Sequence, residues 1–187
     1  MGLVRRAAGV GLLPERERVE RLDLELVREI AREASSAGVG RDAAVALLEH
    51  RGGAGARLET LIGRLDAAIA ASPVPDRELR ALLGVYDHES LAGLLGTSVA
   101  SLRRYAAGAR TVPDTVAGRI HLVALVTSDL GGSYNEFGLR RWWERPRSAL
   151  DGRSPRHALG AGWDPDGETA REVAGLAREL AGAGGAT

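Results

Sequence analysis

Arginine is the residue type in this sequence best suited to recognition chemistry, and it is unevenly placed. Between Ser98 and Arg119 four arginines, Arg103, Arg104, Arg110 and Arg119, face a single acid, Asp114. Phosphates attract such a local excess, and a planar guanidinium pairs bidentately with a phosphate or with the edge of a guanine. Residues suited to catalysis are dispersed instead. His50, His88, His121 and His157 show no H-x-x-x-H spacing and no acid at metal-ligand distance along the chain, so each reads as incidental and no metal is expected. The glycine-rich runs at 51–56 and 182–185 lack a P-loop lysine and a preceding strand. Most carboxylates alternate with arginine on helical faces, where ion pairing explains them. A non-enzymatic chain without a cofactor is expected.

The elements that must position the arginines lie in residues 77–126, which read as four short helices. Asp87 suits the cap of a helix carrying Leu91, Ala92 and Leu95, Gly96 supplies a tight turn, and Ser98 suits the cap of a second helix. On that second helix Val99, Leu102 and Tyr105 with Ala106 face inward, while 100° per residue sets Ala100, Ser101 and Arg104 opposite, with Arg103 at the flank. This is the grammar of a helix-turn-helix. Short Ala100 and Ser101 would admit a DNA backbone, Arg103 and Arg104 would reach bases or phosphates, and Arg110 and Arg119 would clamp phosphates. The candidate DNA contacts are therefore Ser98, Ala100, Ser101, Arg103, Arg104, Arg110 and Arg119. The plain alternative is that the arginines are solvated surface charges, since the pattern also occurs in proteins that do not bind DNA. A homodimer is expected, because half-sites double the contacts of a weak single module.

Ala, Leu, Arg and Glu dominate the chain, aromatics make up 4%, and apolar residues recur at three- and four-residue spacing, which predicts an all-α fold. Residues 1–75 read as a helical section for packing or dimerisation. Pro14 suits the first turn of a helix striped by Val19, Leu22, Leu26 and Ile30, a short helix follows near Asp42 to Glu49, and Leu58, Leu61, Ile62, Leu65 and Ile69 stripe a third. Arginines and acids balance at 11 each over those 75 residues, as on a solvated helical surface. Residues 76–130 form the DNA-binding region and 131–187 a partner-binding region.

That last region carries the spacing W-W-x-x-P-x-x-x-L-x-G-x-x-P-x-x-x-L on Trp142, Trp143, Pro146, Leu150, Gly152, Pro155 and Leu159. With the helix-turn-helix before it, the pattern resembles the MbcA/ParS/Xre antitoxin family over roughly residues 77–180. The resemblance implies the antitoxin of a type II toxin–antitoxin pair. Such a protein is cytosolic, blocks a NAD-consuming toxin of the RES-domain class with its C-terminal end, and represses its own operon. The stretch GAGWDPDGE and the first 75 residues depart from the family's pattern.

Read physically, adjacent tryptophans on a helix point about 100° apart, so one fills a core while the other covers a partner or a second packing face. Pro146 ends a helix, Leu150 anchors a loop, Gly152 permits a turn and Ser154 caps a helix opened by Pro155. Arg140, Arg141, Arg145, Arg147, Arg153 and Arg156 outnumber Glu144 and Asp151, which suits an anionic partner, DNA or plain solvation. Asp164 before Pro165 would launch a last helix striped by Val173, Leu176 and Leu180. The candidate partner contacts are Trp142, Trp143, Arg145, Arg147, Arg153, Arg156, Leu176 and Leu180.

The 187 residues carry formal net charge +0 and no cysteine, which excludes disulfides and thiolate chemistry and fits a reducing cytosol. No export signal and no membrane span is evident, so a soluble cytoplasmic protein is expected. Two other readings stay open: a free-standing dimeric transcription regulator, and a helical adaptor with a vestigial helix-turn-helix.

Overall fold

A computed structural model describes residues 2–13 and 24–183. The chain is all-α. Among the described residues there are eleven α-helices and no strand: α1 Gly2–Gly9, α2 Leu24–Ser36, α3 Arg41–Leu48, α4 Ala56–Ala70, α5 Pro75–Leu83, α6 His88–Leu95, α7 Val99–Ala106, α8 Asp114–Leu130, α9 Glu136–Glu144, α10 Pro155–Leu159 and α11 Glu168–Ala183. The stripes of α2 and α4 lie where their periodicity puts them, with Leu26, Ile30, Leu61, Leu65 and Ile69 buried. Pro14, Val19 and Leu22, expected to open the α2 stripe, lie outside the described residues, as does the end of the C-terminal tail.

The centre of the molecule is α8. Val116, Ile120, Val123, Ala124, Val126, Thr127, Ser128 and Leu130 are all buried, which wraps the helix on more than one side. A helix that is apolar around its circumference belongs inside a fold. Its two hydroxyls return to their own backbone: Thr127 Oγ1 donates to Val123 O at 2.7 Å and Ser128 Oγ to Ala124 O at 2.8 Å, so neither is buried unpaired. Helices α1, α5, α6 and α11 pack against it, and α4 packs on α1. One continuous apolar core thus draws on all three stretches expected from the sequence.

The start of the chain is part of that core. Leu3, Ala7, Val10 and Leu12 are buried, and Arg6 Nε reaches Asp66 at 2.8 Å. The run MGLVRRAAGVGLL is too short and too mixed for a pattern to show on its own, so α1 emerges only through what it packs on. Gly9 sets the approach of α1 to α8: a Cβ there would overlap the Ser128 hydroxyl and lie 3.1 Å from Ala124 O.

Gly9→Val is expected to lower stability by about 1–3 kcal/mol through overpacking. Gly63→Ala, at an exposed α4 position with nothing within 4 Å of the new methyl, should raise it by about 0.5–1 kcal/mol. Urea midpoints measured side by side check both directions.

Candidate functional site

Helices α6 and α7 are built by local hydrogen bonds. Asp87 accepts the Ser90 N–H at 2.8 Å, and the same contacts, with those from the Ser90 hydroxyl, hold its carboxyl below the ordinary aspartate range. Ser98 accepts the Ser101 N–H at 3.1 Å and donates its own proton to Ser101 Oγ at 3.0 Å. Between the helices Gly96 takes φ 63°, a left-handed conformation that disfavours any side chain. Leu102 and Tyr105 seat α7, which packs against α5 and α6.

The opposite side of α7 is open. Ala100, Arg103, Arg104 and Arg110 are exposed, Ser98 is exposed at the cap, and Ser101 is half-buried. Arg104 Nε bonds Ala100 O at 3.3 Å, and the Arg110 guanidinium lies 5.6 Å from the centre of the Tyr105 ring. None of the three arginines pairs with a carboxylate among the described residues. Their positive charge is therefore uncompensated at the surface, where an anion reaches it without displacing an ion pair.

Arg119 is a different case. It was expected to clamp phosphate, but its Nε donates to Trp163 O at 2.6 Å and its Nη1 to Leu95 O at 3.1 Å, with the guanidinium 5.7 Å from the centre of the Trp163 ring. Two of its five N–H donors are committed inside the fold. Together with the Trp163 indole, which donates to Leu94 O at 2.8 Å, it caps the end of α6. Thr97 N–H reaches Ala92 O at 3.0 Å and Gly96 N–H reaches Gly93 O at 3.4 Å, so all four terminal carbonyls of α6 are satisfied. The stretch GAGWDPDGE is what delivers Trp163. An isolated tryptophan in a Gly/Asp/Pro loop was the available signal. Gly118 admits this loop, since a Cβ there would come within 2.7 Å of Pro165. Asp164 does not launch α11: it accepts the Asp166 N–H at 3.0 Å in a local turn, and the helix begins at Glu168.

The candidate partner contacts divide. Trp142 and Trp143 are each 1% exposed, and their rings meet edge to face at 5.1 Å, so both belong to the core and neither faces a partner. Two 100°-separated directions are available on α9, and both point into packed surface. The Trp143 indole donates to Tyr86 Oη at 3.0 Å, which lies 2.9 Å from Thr127 Oγ1. Because Thr127 spends its proton on Val123 O, Tyr86 is the donor to Thr127, and burial pushes its phenol pKa up, keeping that proton in place. The arginines stay nearer the surface. Arg145 and Arg153 are exposed, Arg147 lies 5.3 Å from the centre of the Trp142 ring, and Arg156 pairs with Glu144 at 2.8 Å. Leu150 is buried, Gly152 turns at φ 76° and Ser154 caps α10. Leu176 and Leu180 are half-buried beside Ala170, Val173 and Ala177, which form the buried face of α11.

His121, read as incidental, is partly buried and paired with the buried Glu78. Its Nε2 lies 2.9 Å from Ala70 O, an acceptor only, so that nitrogen carries a proton. Nδ1 lies 2.5 Å from Oε1 of Glu78, which is fully buried. Both ring nitrogens are thus committed, and neither serves a ligand in the adjoining cleft bordered by Asp129 and Arg178. Among the described residues no three His, Asp or Glu side chains converge as a metal would require. Burial pushes Glu78 above the usual carboxylate range. Burial alone would lower His121, but the hydrogen bond and charge of Glu78, with the Ala70 carbonyl, outweigh it and raise its pKa.

Both shifts have one sign. Each group keeps its proton to higher pH than in the unfolded chain: the share of Glu78 falls once pH passes the unfolded carboxylate value of about 4.5, and that of His121 is full below the unfolded histidine value of about 6.5 and fades as pH climbs through the raised one. Resistance to urea is therefore expected to fall as pH rises above about 6.5, and His121→Gln should flatten that part of the slope. Trp163→Phe keeps most of the ring but strands Leu94 O, and a loss of about 1–3 kcal/mol in the same assay is expected. Comparison with family models, with curated proteins and with solved structures gives no match to this chain.

Proposed function

We propose that this chain is a non-catalytic DNA-binding regulator of the antitoxin kind, in which α6 and α7 act as a helix-turn-helix and the C-terminal region holds a protein partner. The observation that carries the proposal is the outward face of α7: a capped helix, seated by Leu102 and Tyr105, presents Ala100, Arg103 and Arg104 to solvent, with Arg110 just beyond its end. Small Ala100 lets a duplex approach while the guanidinium groups meet phosphates or guanine edges. Ser98 and Ser101 support the face by bonding each other, and Arg119 contributes by holding α6 rather than by touching DNA.

The partner half rests on the resemblance and on the basic residues left at the surface, Arg145, Arg153 and Arg156, with Arg147 beside them. A toxin of the RES-domain class, operator DNA and a homodimeric assembly in the cytoplasm complete this reading. Among the described residues no helix is long and apolar enough to cross a membrane. A specific observation favours the second reading, a free-standing regulator. With Trp142 and Trp143 in the core and α11 packed on α8, the C-terminal region has structural work of its own and need not await a partner.

Arg103→Ala with Arg104→Ala is expected to reduce binding to the DNA upstream of the chain's own reading frame at least about tenfold and to lower the salt slope by about 2, with the circular-dichroism melt unchanged. Wild-type affinity in a salt-controlled gel shift would defeat the DNA proposal. Arg145→Glu with Arg153→Glu, co-expressed with the neighbouring reading frame, is expected to lose co-purification and toxicity rescue. Full rescue by that variant would defeat the assignment of the partner surface, and no rescue by the wild-type chain would favour the free-standing regulator.

A further inference from the structure

Between α6 and α9 lies a recess of about 390 Å3 that the proposed DNA face does not touch. Its floor is made by Tyr86, Leu94 and Trp143, all buried residues. The polar atoms of that floor are already committed: the Trp143 N–H to Tyr86 at 3.0 Å, the Tyr86 hydroxyl to Thr127 at 2.9 Å, and the Leu94 carbonyl to Trp163 at 2.8 Å. A molecule resting there meets apolar surface and leaves no group stranded.

The mouth is of opposite character. Phe137, 64% exposed, stands at the rim with Arg140, Arg141 and Arg156. Arg140 gives Nη1 to Val85 O at 2.6 Å and lies 3.8 Å from Glu136, and Arg156 gives Nη1 to Glu144 at 2.8 Å; each fork keeps further donors. The Arg141 side chain makes no hydrogen bond or ion pair among the described residues. Three guanidinium groups and one carboxylate, Glu144, thus line the opening. Gly93 belongs to the same arrangement: a Cβ there would overlap the Arg156 guanidinium, so glycine lets that group lie across α6 at the mouth.

We propose that this recess binds a small organic anion with a flat or branched apolar body, an aryl or branched-chain carboxylate. The body rests on Leu94 and Trp143 beneath Phe137, and the carboxylate takes the free fork of Arg141, with Arg140 and Arg156 adding charge. The volume falls in the range of small-molecule sites, about 300–1,000 Å3. A protein docking face instead needs about 800 Å2 per partner, far more than a pit of this width provides. None of Arg103, Arg104 and Arg110 lines the recess, so the proposal stands or falls apart from the DNA reading.

Titration of the full-length protein with anilinonaphthalene sulfonate, an aryl anion whose emission rises at apolar sites, is expected to saturate as one site and to be competed by indole acetate. Arg141→Glu should weaken that binding about tenfold with an unchanged melt, because the side chain is exposed and unpaired. Phe137→Ala should weaken it as well, and Arg145→Glu, outside the recess, should leave it unaltered. Non-saturating emission, equal binding of the uncharged analogue N-phenylnaphthylamine, or wild-type affinity in Arg141→Glu overturns the proposal. Displacement by an acidic phenylalanine-bearing peptide at lower concentration than indole acetate overturns it too, in favour of a peptide dock.

Discussion

The end of α6 is the point on which the rest of the arrangement depends. A helix leaves its last four carbonyls without partners, and at a buried end each of them costs as much as a lost hydrogen bond. Here two are met by the turn itself and two by side chains from far along the chain, Arg119 on α8 and Trp163 in the loop before α11. Gly96 makes this geometry possible twice over. Its φ of 63° lets the chain reverse, and a Cβ there would lie 3.1 Å from both Arg119 Nη1 and the Gly162 nitrogen. The orientation of α7, and with it the outward face of Arg103 and Arg104, follows from this closure.

What was legible in the sequence was local. The all-α class, the α2 and α4 stripes, the caps at Asp87, Ser98 and Ser154, and the turns at Gly96 and Gly152 all depend on residues within four positions of one another, where spacing carries the physics. What escaped was long-range. Glu78 and His121 are 43 residues apart, Arg119 and Trp163 44, Leu94 and Trp163 69, and no periodicity connects them. The same limit explains the misplaced roles. An arginine in a basic run looks like a phosphate ligand until the carbonyls it reaches are known, and a tryptophan pair looks half exposed until both of its directions are filled.

One relay anchored in the C-terminal region keeps its own polar groups paired inside the fold, while the nearby Trp142 Nε1 and Arg147 Nε are buried with no hydrogen-bond partner. Trp143, Tyr86, Thr127 and Val123 form a directed chain from indole N–H to backbone carbonyl, each donor spent once. Such a relay fixes α9 relative to α8 more narrowly than apolar contact would, since a displaced member leaves a buried group unmet. The arginine-rich surface is laid over this rigid base. Its guanidinium groups are held by stacking on Trp142, by Glu144 and by the Val85 carbonyl, which reduces the side-chain freedom lost when an anion arrives.

Helix α8 takes its cover from helices near the start, the middle and the end of the chain. It follows that these stretches do not melt independently, because removing any of them exposes aliphatic surface that α8 has no means to hide. Anything that binds only the native form, wherever it attaches, therefore shields every stretch from proteases by the same factor, 1 + [L]/Kd.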